Sequence, residues 1–439
     1  MKKIKLSIII ISVITLLFSL ISCNGDSEGG KSSAYKTITL NVYNWGEYIS
    51  DGSLGSLDTN AAFEDYFNEN LADEYGYNVE VNYTTYATNE DMYSKITSGA
   101  GTYDVIVPSD YMIEKLKNEG WLYKFDAASI ENYKYIDSEF KNLPYDENNE
   151  YSVPYTYGMM GIIYNAALVD EEDYSGESWG LLWNEKYKGK ILQFNNPRDA
   201  FGSAMYYTGL DVNSTDPDVW EAALAKLVEQ KPLIQAYVND EIYNKMTTAS
   251  AAVAPYFAGD FLTMAYQNED LSFYYPAEGT NYFVDAMCIP KNARYPEIAM
   301  EYINFMLSEE AAIANALYIG YASPNTLVRS SEEYQEGIME LHPDAMDILY
   351  GKSLEEANAN YPYSPIYRSF TEDIQTQVNT LWESLKTENS TELWVHITCG
   401  VIVVSVLTLA IYTTYVKKKR SRDYRLRDKE AAKLRKMQS

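Results

Sequence analysis

Between Lys36 and Gly120 the sequence alternates between strand-like and helix-like periods, and this alternation limits the fold more than any other feature of the chain. TITLNVYNW (37–45) reads as a strand. Leu57 to Tyr75 places Phe63, Phe67, Leu71 and Tyr75 at helical spacing, and Gly76 follows as a stop. NVEVNY (78–83) alternates as a half-buried strand does. Asn89 is the expected cap of a helix carrying Met92, Tyr93 and Ile96. YDVIVP (103–108) is a continuous apolar run suited to a buried parallel strand. Ser109 is then expected to cap a helix that turns Met112, Ile113 and Leu116 inward and ends at Gly120. Such alternation predicts an α/β domain with a mostly parallel sheet, whose ligands gather at the carboxyl ends of the strands.

Further along, YSVPYTYGMMGIIYN (151–165) reads as an extended strand crossing between two domains. A strand is expected at Ile191 to Phe194, followed by a helix opening in NNPRDAF (195–201) and running through Leu210. Asp218–Glu229 and Asp240–Thr248 read as further helices. AAVAPYFAGDF (251–261) reads as a strand ending in a turn, with Asp260 at its edge. NYFVDAMCIP (281–290) is a second crossing strand, Tyr295–Leu307 an amphipathic helix, and YIGYASPN (318–325) a turn before a mostly helical remainder.

Both ends of the chain point to a membrane. Lys2, Lys3 and Lys5 precede an apolar run from Leu6 to Ile21, so residues 1–22 read as an export signal. Leu20-Ile21-Ser22-Cys23 resembles a bacterial lipobox, with Cys23 as the lipidated residue and 23–35 as a polar, Gly-rich tether. Residues 393–416 are apolar apart from His396 and scattered hydroxyls. As a helix they would extend about 36 Å at about 1.5 Å per residue, enough to span a bilayer. The tail 417–439 holds eleven Lys/Arg against three Asp/Glu, which sets it on the cytoplasmic side.

Charge and cysteine content exclude several functions. The net charge is −28; setting aside +3 from the leader and +8 from the tail leaves −39 on residues 24–393. That field repels nucleic acid and draws in cations. The three cysteines and two histidines build no CxxC site, no zinc site and no histidine-based triad. Nucleophilic or zinc hydrolysis is therefore not expected.

NVYNWGEYI (41–49) places Trp45, Glu47 and Tyr48 at the tip of the first strand. Aromatic faces beside a carboxylate suit an organic ammonium ion, because the ring quadrupole attracts the cation and the carboxylate neutralises it. The plainer alternative is a tryptophan at the edge of a core with two solvated neighbours.

Several blocks in order then resemble the periplasmic spermidine/putrescine-binding proteins of polyamine ABC transporters. They are YNWGEYI, TTYATNEDMYSKI (84–96), YDVIVPSDYMIEKLKNEG (103–120), YSVPYTYG (151–158), AGDF (258–261), and FVDAMCIPKNA (283–293) followed by GYASPN. The resemblance covers Lys36 to about Arg329. It implies a two-lobed α/β periplasmic-binding-protein fold with crossing strands at a hinge, to which this chain adds the C-terminal transmembrane helix. Lobe 1 would comprise 36–155 and 284–325, and lobe 2 156–283 and 326–389. It implies a polyamine ligand, a permease and its ATPase as partners, and no catalysis, no metal and no cofactor. Trp45 and Tyr48 resemble the family's aromatic wall and Glu47 a carboxylate beside it. Ser109 and Tyr111 resemble contacts after the third strand, and Asp199 an acidic position on a terminal amine. Phe257 and Asp260, Phe283 and Asp285, and Tyr321 resemble the remaining ligand contacts.

By charge alone, Asp260 and Asp285 would neutralise one end of a diamine, and Glu47 and Asp199 the other. Two family tryptophans are Phe257 and Phe283 here, and Asn196 stands where spermidine-binding members carry an aspartate. Two other functions compete. A carboxylate glycosidase using Glu47 and Asp199 would need a raised pKa on one acid and a sugar-length groove. A polyamine-sensing ectodomain would signal through the transmembrane helix, and its 23-residue tail would need a signalling partner.

Overall fold

The computed structural model describes residues 35–387 and, beyond them, 402, 404–408, 410, 412–419, 422 and 429. Alternating Ile38, Leu40 and Val42 bury one face of β1 (Lys36–Trp45), which pairs in parallel with β2 (Tyr77–Tyr86) from Lys36↔Tyr77 to Trp45↔Tyr86. The other strands are β3 (Val105–Ile106), β4 (Ser152–Asn165), β5 (Ile191–Phe194), β6 (Ile234–Val238), β7 (Val253–Phe257), β8 (Leu271–Tyr274) and β9 (Tyr282–Cys288). They form one sheet of order β2-β1-β3-β9-β4-β7-β5-β6, with β8 also on β4. The helices that matter to the site are α1 (Thr59–Asn70), α2 (Asn89–Thr97), α3 (Asp110–Asn118), α4 (Pro197–Thr208), α5 (Pro217–Gln230), α6 (Glu241–Thr247), α7 (Ala258–Gln267), α8 (Pro296–Met306) and α9 (Glu309–Ile319).

The sheet carries two separate cores. One gathers β1–β3, Met112, Ile113, Val284 and Ile303; the other gathers Met160, Trp179, Phe201, Trp220, Leu262 and Trp382. The protein is therefore two-lobed. β4 joins the lobes: its first half, Ser152 to Met159, pairs with β9, and from Met160 to Tyr164 it pairs with β7. α9 also serves both, with Ala312, Ile313 and Ala316 in the second core and Ile319 in the first.

The structure corrects several expectations. The sheet is mixed rather than mostly parallel. Parallel pairs (β1–β2, β1–β3, β5–β6, β5–β7) lie on its flanks, and antiparallel pairs around β4 and β9 fill its middle. A chain that crosses from one lobe to the other and returns must run antiparallel at the crossing. The helix expected over 57–75 is interrupted at Leu71, resumes as Ala72–Tyr75, and ends on left-handed Gly76 (φ 74°). Thr88, not Asn89, caps α2, by accepting from the Asp91 N–H. Ser109 sits at the α3 N-cap position without a capping side-chain bond. YDVIVP yields only the two residues of β3. After Phe257 the chain enters α7 directly, so Asp260 stands in a first helical turn and not in a loop. β6 and β8 were not expected; they are short and only partly buried.

The export signal 1–22, Cys23 and the tether to Ser33 and Ala34 lie outside the described residues. Of the span 393–416, residues 402, 404–408, 410 and 412–416 are described and helical, and Ile402, Val404, Leu407 and Tyr415 are each more than half exposed. Among the described residues no helix is long and apolar enough to cross a membrane. Most of the basic tail lies outside them.

Candidate functional site

Every ligand-binding residue expected from the sequence lines one cleft between the lobes. Trp45 ends β1, and its indole N–H donates to the Val107 carbonyl at 2.9 Å, which fixes the ring plane. Glu47 follows in the left-handed region (φ 51°). Asn44 Nδ2 donates to the Tyr48 carbonyl at 3.2 Å and closes this turn. Tyr48 is thereby turned inward, where its hydroxyl donates to Asp285 Oδ2 at 2.7 Å and meets Thr156 Oγ1 at 2.5 Å. Thr156 lies opposite Asp285 where β4 and β9 slip register, and Ser109 bridges the same aspartate from the other side.

An aromatic chain runs through the cleft. Phe257 meets Phe283 edge-on at 5.2 Å, Phe283 meets Tyr321 at 5.9 Å, and Tyr321 meets Tyr48 at 5.5 Å. The Asp260 carboxylate accepts from the Tyr243 and Tyr321 hydroxyls, one on each oxygen. Tyr321 lies so close over the start of α7 that a Cβ on Gly259 would sit 2.3 Å from its ring. Across the cleft, Asn196 caps α4: its Oδ1 accepts from Asp199 N–H and its Nδ2 donates to Asp199 Oδ2, both at 2.9 Å. Asn89, freed from capping, donates to Ser109 Oγ and Tyr111 Oη at 3.1 Å each, and the Tyr111 hydroxyl donates to Glu90 at 3.1 Å.

The sequence profile of the bacterial extracellular solute-binding protein family matches residues 63–339. The chain belongs to that family. It is 33% identical over 328 residues to the spermidine/putrescine-binding periplasmic protein of Salmonella typhimurium, covering 74% of this chain and 89% of that one. The Escherichia coli protein of the same name is 32% identical over 340 residues, 77% of this chain and 91% of its own. Among solved structures, the Streptococcus pneumoniae spermidine/putrescine ABC transporter substrate-binding protein PotD superposes with a TM-score of 0.60 at 33% identity, over 80% of this chain and 98% of its own.

In this solute-binding protein the cleft is acidic: Glu47, Glu90, Asp110, Asp199, Asp240, Asp260 and Asp285 line it against one cation, Arg198, whose Nε and Nη1 are buried without a hydrogen-bond partner. Burial pushes the carboxyls of Asp199, Asp260 and Asp285 up to about 6, and those of Glu90, Asp110 and Asp240 also upward. Asp110 Oδ2, Asn281 Oδ1 and Asp285 Oδ1 are buried in the cleft wall with no hydrogen-bond partner. Buried polar atoms of this kind are ordinarily satisfied, so three acceptors in one cavity suit a polar, donor-bearing ligand.

The sequence reading missed Glu90, Asp110, Arg198, Asp240, Tyr243 and Tyr367, which also line the cleft. Asp110 carried a usable signal, being the residue after the strand tip that Ser109 marks. Arg198 stands next to Asp199 and is a cation in an acidic cleft. Its guanidinium is stacked between the Tyr367 ring at 4.2 Å and the Phe370 ring at 3.8 Å, and Nη2 donates to Asn213 at 2.9 Å. Tyr367 arrives from a segment with no local pattern. The acidic trio Asp170, Glu172 and Asp173 lies outside the cleft lining, and Lys186 bridges it through Asp170 and Asp173.

Proposed function

We propose that this chain is an extracytoplasmic receptor for a linear polyamine, putrescine or spermidine, which it delivers unchanged to the permease of an ABC transporter. The observation that carries the reading is the set of unpartnered buried oxygens on Asp110, Asn281 and Asp285 in an acidic, aromatic-walled cleft. A protonated amine brings the donors those oxygens lack. Its methylenes pack on Phe257, Phe283 and Tyr321, and Trp45 and Tyr48 offer ring faces to the ammonium. Asp260 and Asp285, with Ser109 against Asp285, neutralise one end; Glu47 and Asp199, with Tyr111 near Asp199, take the other. The relatives' names support the same ligand class. Hinge closure of lobe 1 (36–155, 284–325) on lobe 2 (156–283, 326–389) excludes water, and docking on the permease reopens it.

The same reading holds the receptor at the membrane twice, by a lipid on Cys23 and by a helix over 393–416, with 417–439 cytoplasmic. Two tethers would keep it near its permease at raised effective concentration. The test of ligand class is calorimetry of the purified chain with chelator present, titrating putrescine, spermidine, a sugar and an amino acid, with mass spectrometry of the recovered ligand. Binding of a polyamine recovered intact is expected. Heat only with the sugar or the amino acid, or a converted product, overturns the reading.

A further inference from the structure

Among the described residues one ion pair joins the two lobes, and it lies outside the ligand contacts. Glu114, on the second turn of α3 in the first lobe, is 8% exposed. Arg368 Nη2 donates to its Oε1 at 2.5 Å, Arg368 Nε lies 3.2 and 3.1 Å from the two oxygens, and Ser369 N–H donates to Oε2 at 2.8 Å. Burial pushes the Glu114 carboxyl up, but these donors outweigh it and hold the group below the usual carboxylate range.

Arg368 belongs to an irregular strap that is fixed to the second lobe. Tyr361 Oη donates to the Leu210 carbonyl at 2.7 Å, Tyr206 Oη to that of Pro365 at 2.9 Å, and Asn213 Nδ2 to that of Ile366 at 2.8 Å. The same strap presents Tyr367 to the cleft, where its ring meets Tyr111 of the first lobe edge-on at 6.4 Å. It lies beyond residue 339, where the family match ends.

We infer that Glu114 and Arg368 form a clasp between the lobes, made on closure and broken on opening, that sets how long a bound ligand stays. Separating the lobes draws α3 away from a strap that cannot follow. The carboxylate is buried and held in bidentate fashion, so losing its partner costs more than losing an ordinary surface pair. The Arg368 side chain is 49% exposed, so water can take its place and the clasp can reopen. Neither residue lines the cleft. The clasp therefore acts on every ligand alike, through the dissociation rate, whereas a subsite contact would discriminate between ligands.

The inference rests on the proposed polyamine-receptor function for its ligand but not for its geometry, and the test separates the two. The full chain is prepared as wild type, Glu114→Gln, Arg368→Gln and the charge-reversed pair Glu114→Arg with Arg368→Glu. Spin labels at exposed Glu69 and Glu221 report the lobe separation with and without putrescine, and stopped-flow reports dissociation of putrescine and spermidine. Each single variant is expected to raise the dissociation rate of both amines about tenfold, between the effects of exposed and buried pairs. It also shifts the label distances toward the open form, and the reversed pair returns both readouts toward wild type. Unchanged distances and rates in the single variants overturn the clasp. So does an effect on one amine alone, or singles that respond with a folded reversed pair that does not recover. If wild type binds no polyamine, the proposed function fails, and the ligand-free distances of the single variants still decide the clasp.

Discussion

Replacing Asp285 by asparagine should strengthen the empty protein and weaken the loaded one. Asp285 is 4% exposed, and burial pushes its carboxyl from 3.8 up to about 6. Between about pH 4 and pH 6 the folded, empty protein therefore holds a proton that the unfolded chain has released. Stability contributed by this group falls as pH rises through that window, and at pH 7 the full cost is present. A shift of about two units at about 1.4 kcal/mol each gives an upper figure of about 3 kcal/mol, reduced by whatever water enters the cleft. Asparagine keeps the shape and still accepts the Tyr48 hydroxyl. The ligand-free melting temperature of Asp285→Asn at pH 7 should accordingly rise, by about 2–4 °C per kcal/mol recovered. Its stability should also lose part of its pH dependence below pH 6. For a bound ammonium the same change removes a counter-ion from a buried pair, which costs about 3–5 kcal/mol. At about 1.4 kcal/mol per decade that is at least a hundredfold in affinity. Scanning calorimetry and titration calorimetry on the same preparations read both numbers. A lower melting temperature with an unchanged dissociation constant would refute the reasoning, and would make Asp285 a structural anchor for Tyr48 rather than a ligand group.

Polyamine binding should tighten as pH rises from 5 to 7, with protons released near pH 6, because the ligand's charge draws Asp199, Asp260 and Asp285 back below the value of about 6 they have in the empty cleft. Titrations in two buffers of different ionisation enthalpy measure that release, and identical heats in both count against it. Asn196→Asp should favour spermidine over putrescine by supplying charge for a third amine, at the expense of a carboxylate facing Asp199 where the amide now donates at 2.9 Å; no gain for spermidine eliminates Asn196 as the determinant. Gly259→Ala should lower both melting temperature and affinity, with overpacking of about 1–3 kcal/mol, since the new methyl would meet the Tyr321 ring at 2.3 Å; wild-type affinity would mean that Tyr321 does not touch ligand. Cys23→Ala and a stop before Leu393 should each leave protein in the membrane fraction, and only the combination should release it; full release by either alone removes one anchor from the scheme.

The strands that place the cleft were legible because burial writes a period into them. β1 and β2 alternate, and β4 and β9 are long apolar runs broken by glycine or an acid. The eleven expected cleft residues were legible for a different reason: Trp45, Glu47 and Tyr48 set a carboxylate beside aromatics at a strand tip, and the other eight followed from the family resemblance. The other side of the cleft was not legible in that way. Tyr243 reaches Asp260 from α6, and Tyr367 arrives with a strap whose path is fixed by hydrogen bonds to Leu210 and Asn213, about 150 residues earlier. Nothing local records such a contact. Arg198 shows a further limit, because a cation in an acidic cleft makes sense only once its aromatic stack is seen.

The change of partner within β4 has a consequence for how such a protein can be taken apart. Up to Met159 the strand completes the sheet of one lobe, and from Met160 it completes the sheet of the other. Cutting the chain at the visible waist would thus leave each fragment with an unpaired edge in its middle, the kind of surface that aggregates. The two halves are not modules. A chimera that exchanges one lobe with a relative has to carry the whole of β4 and β9 together, and its fusion points belong outside the strands, in the surface segments before Ser152 and after Cys288.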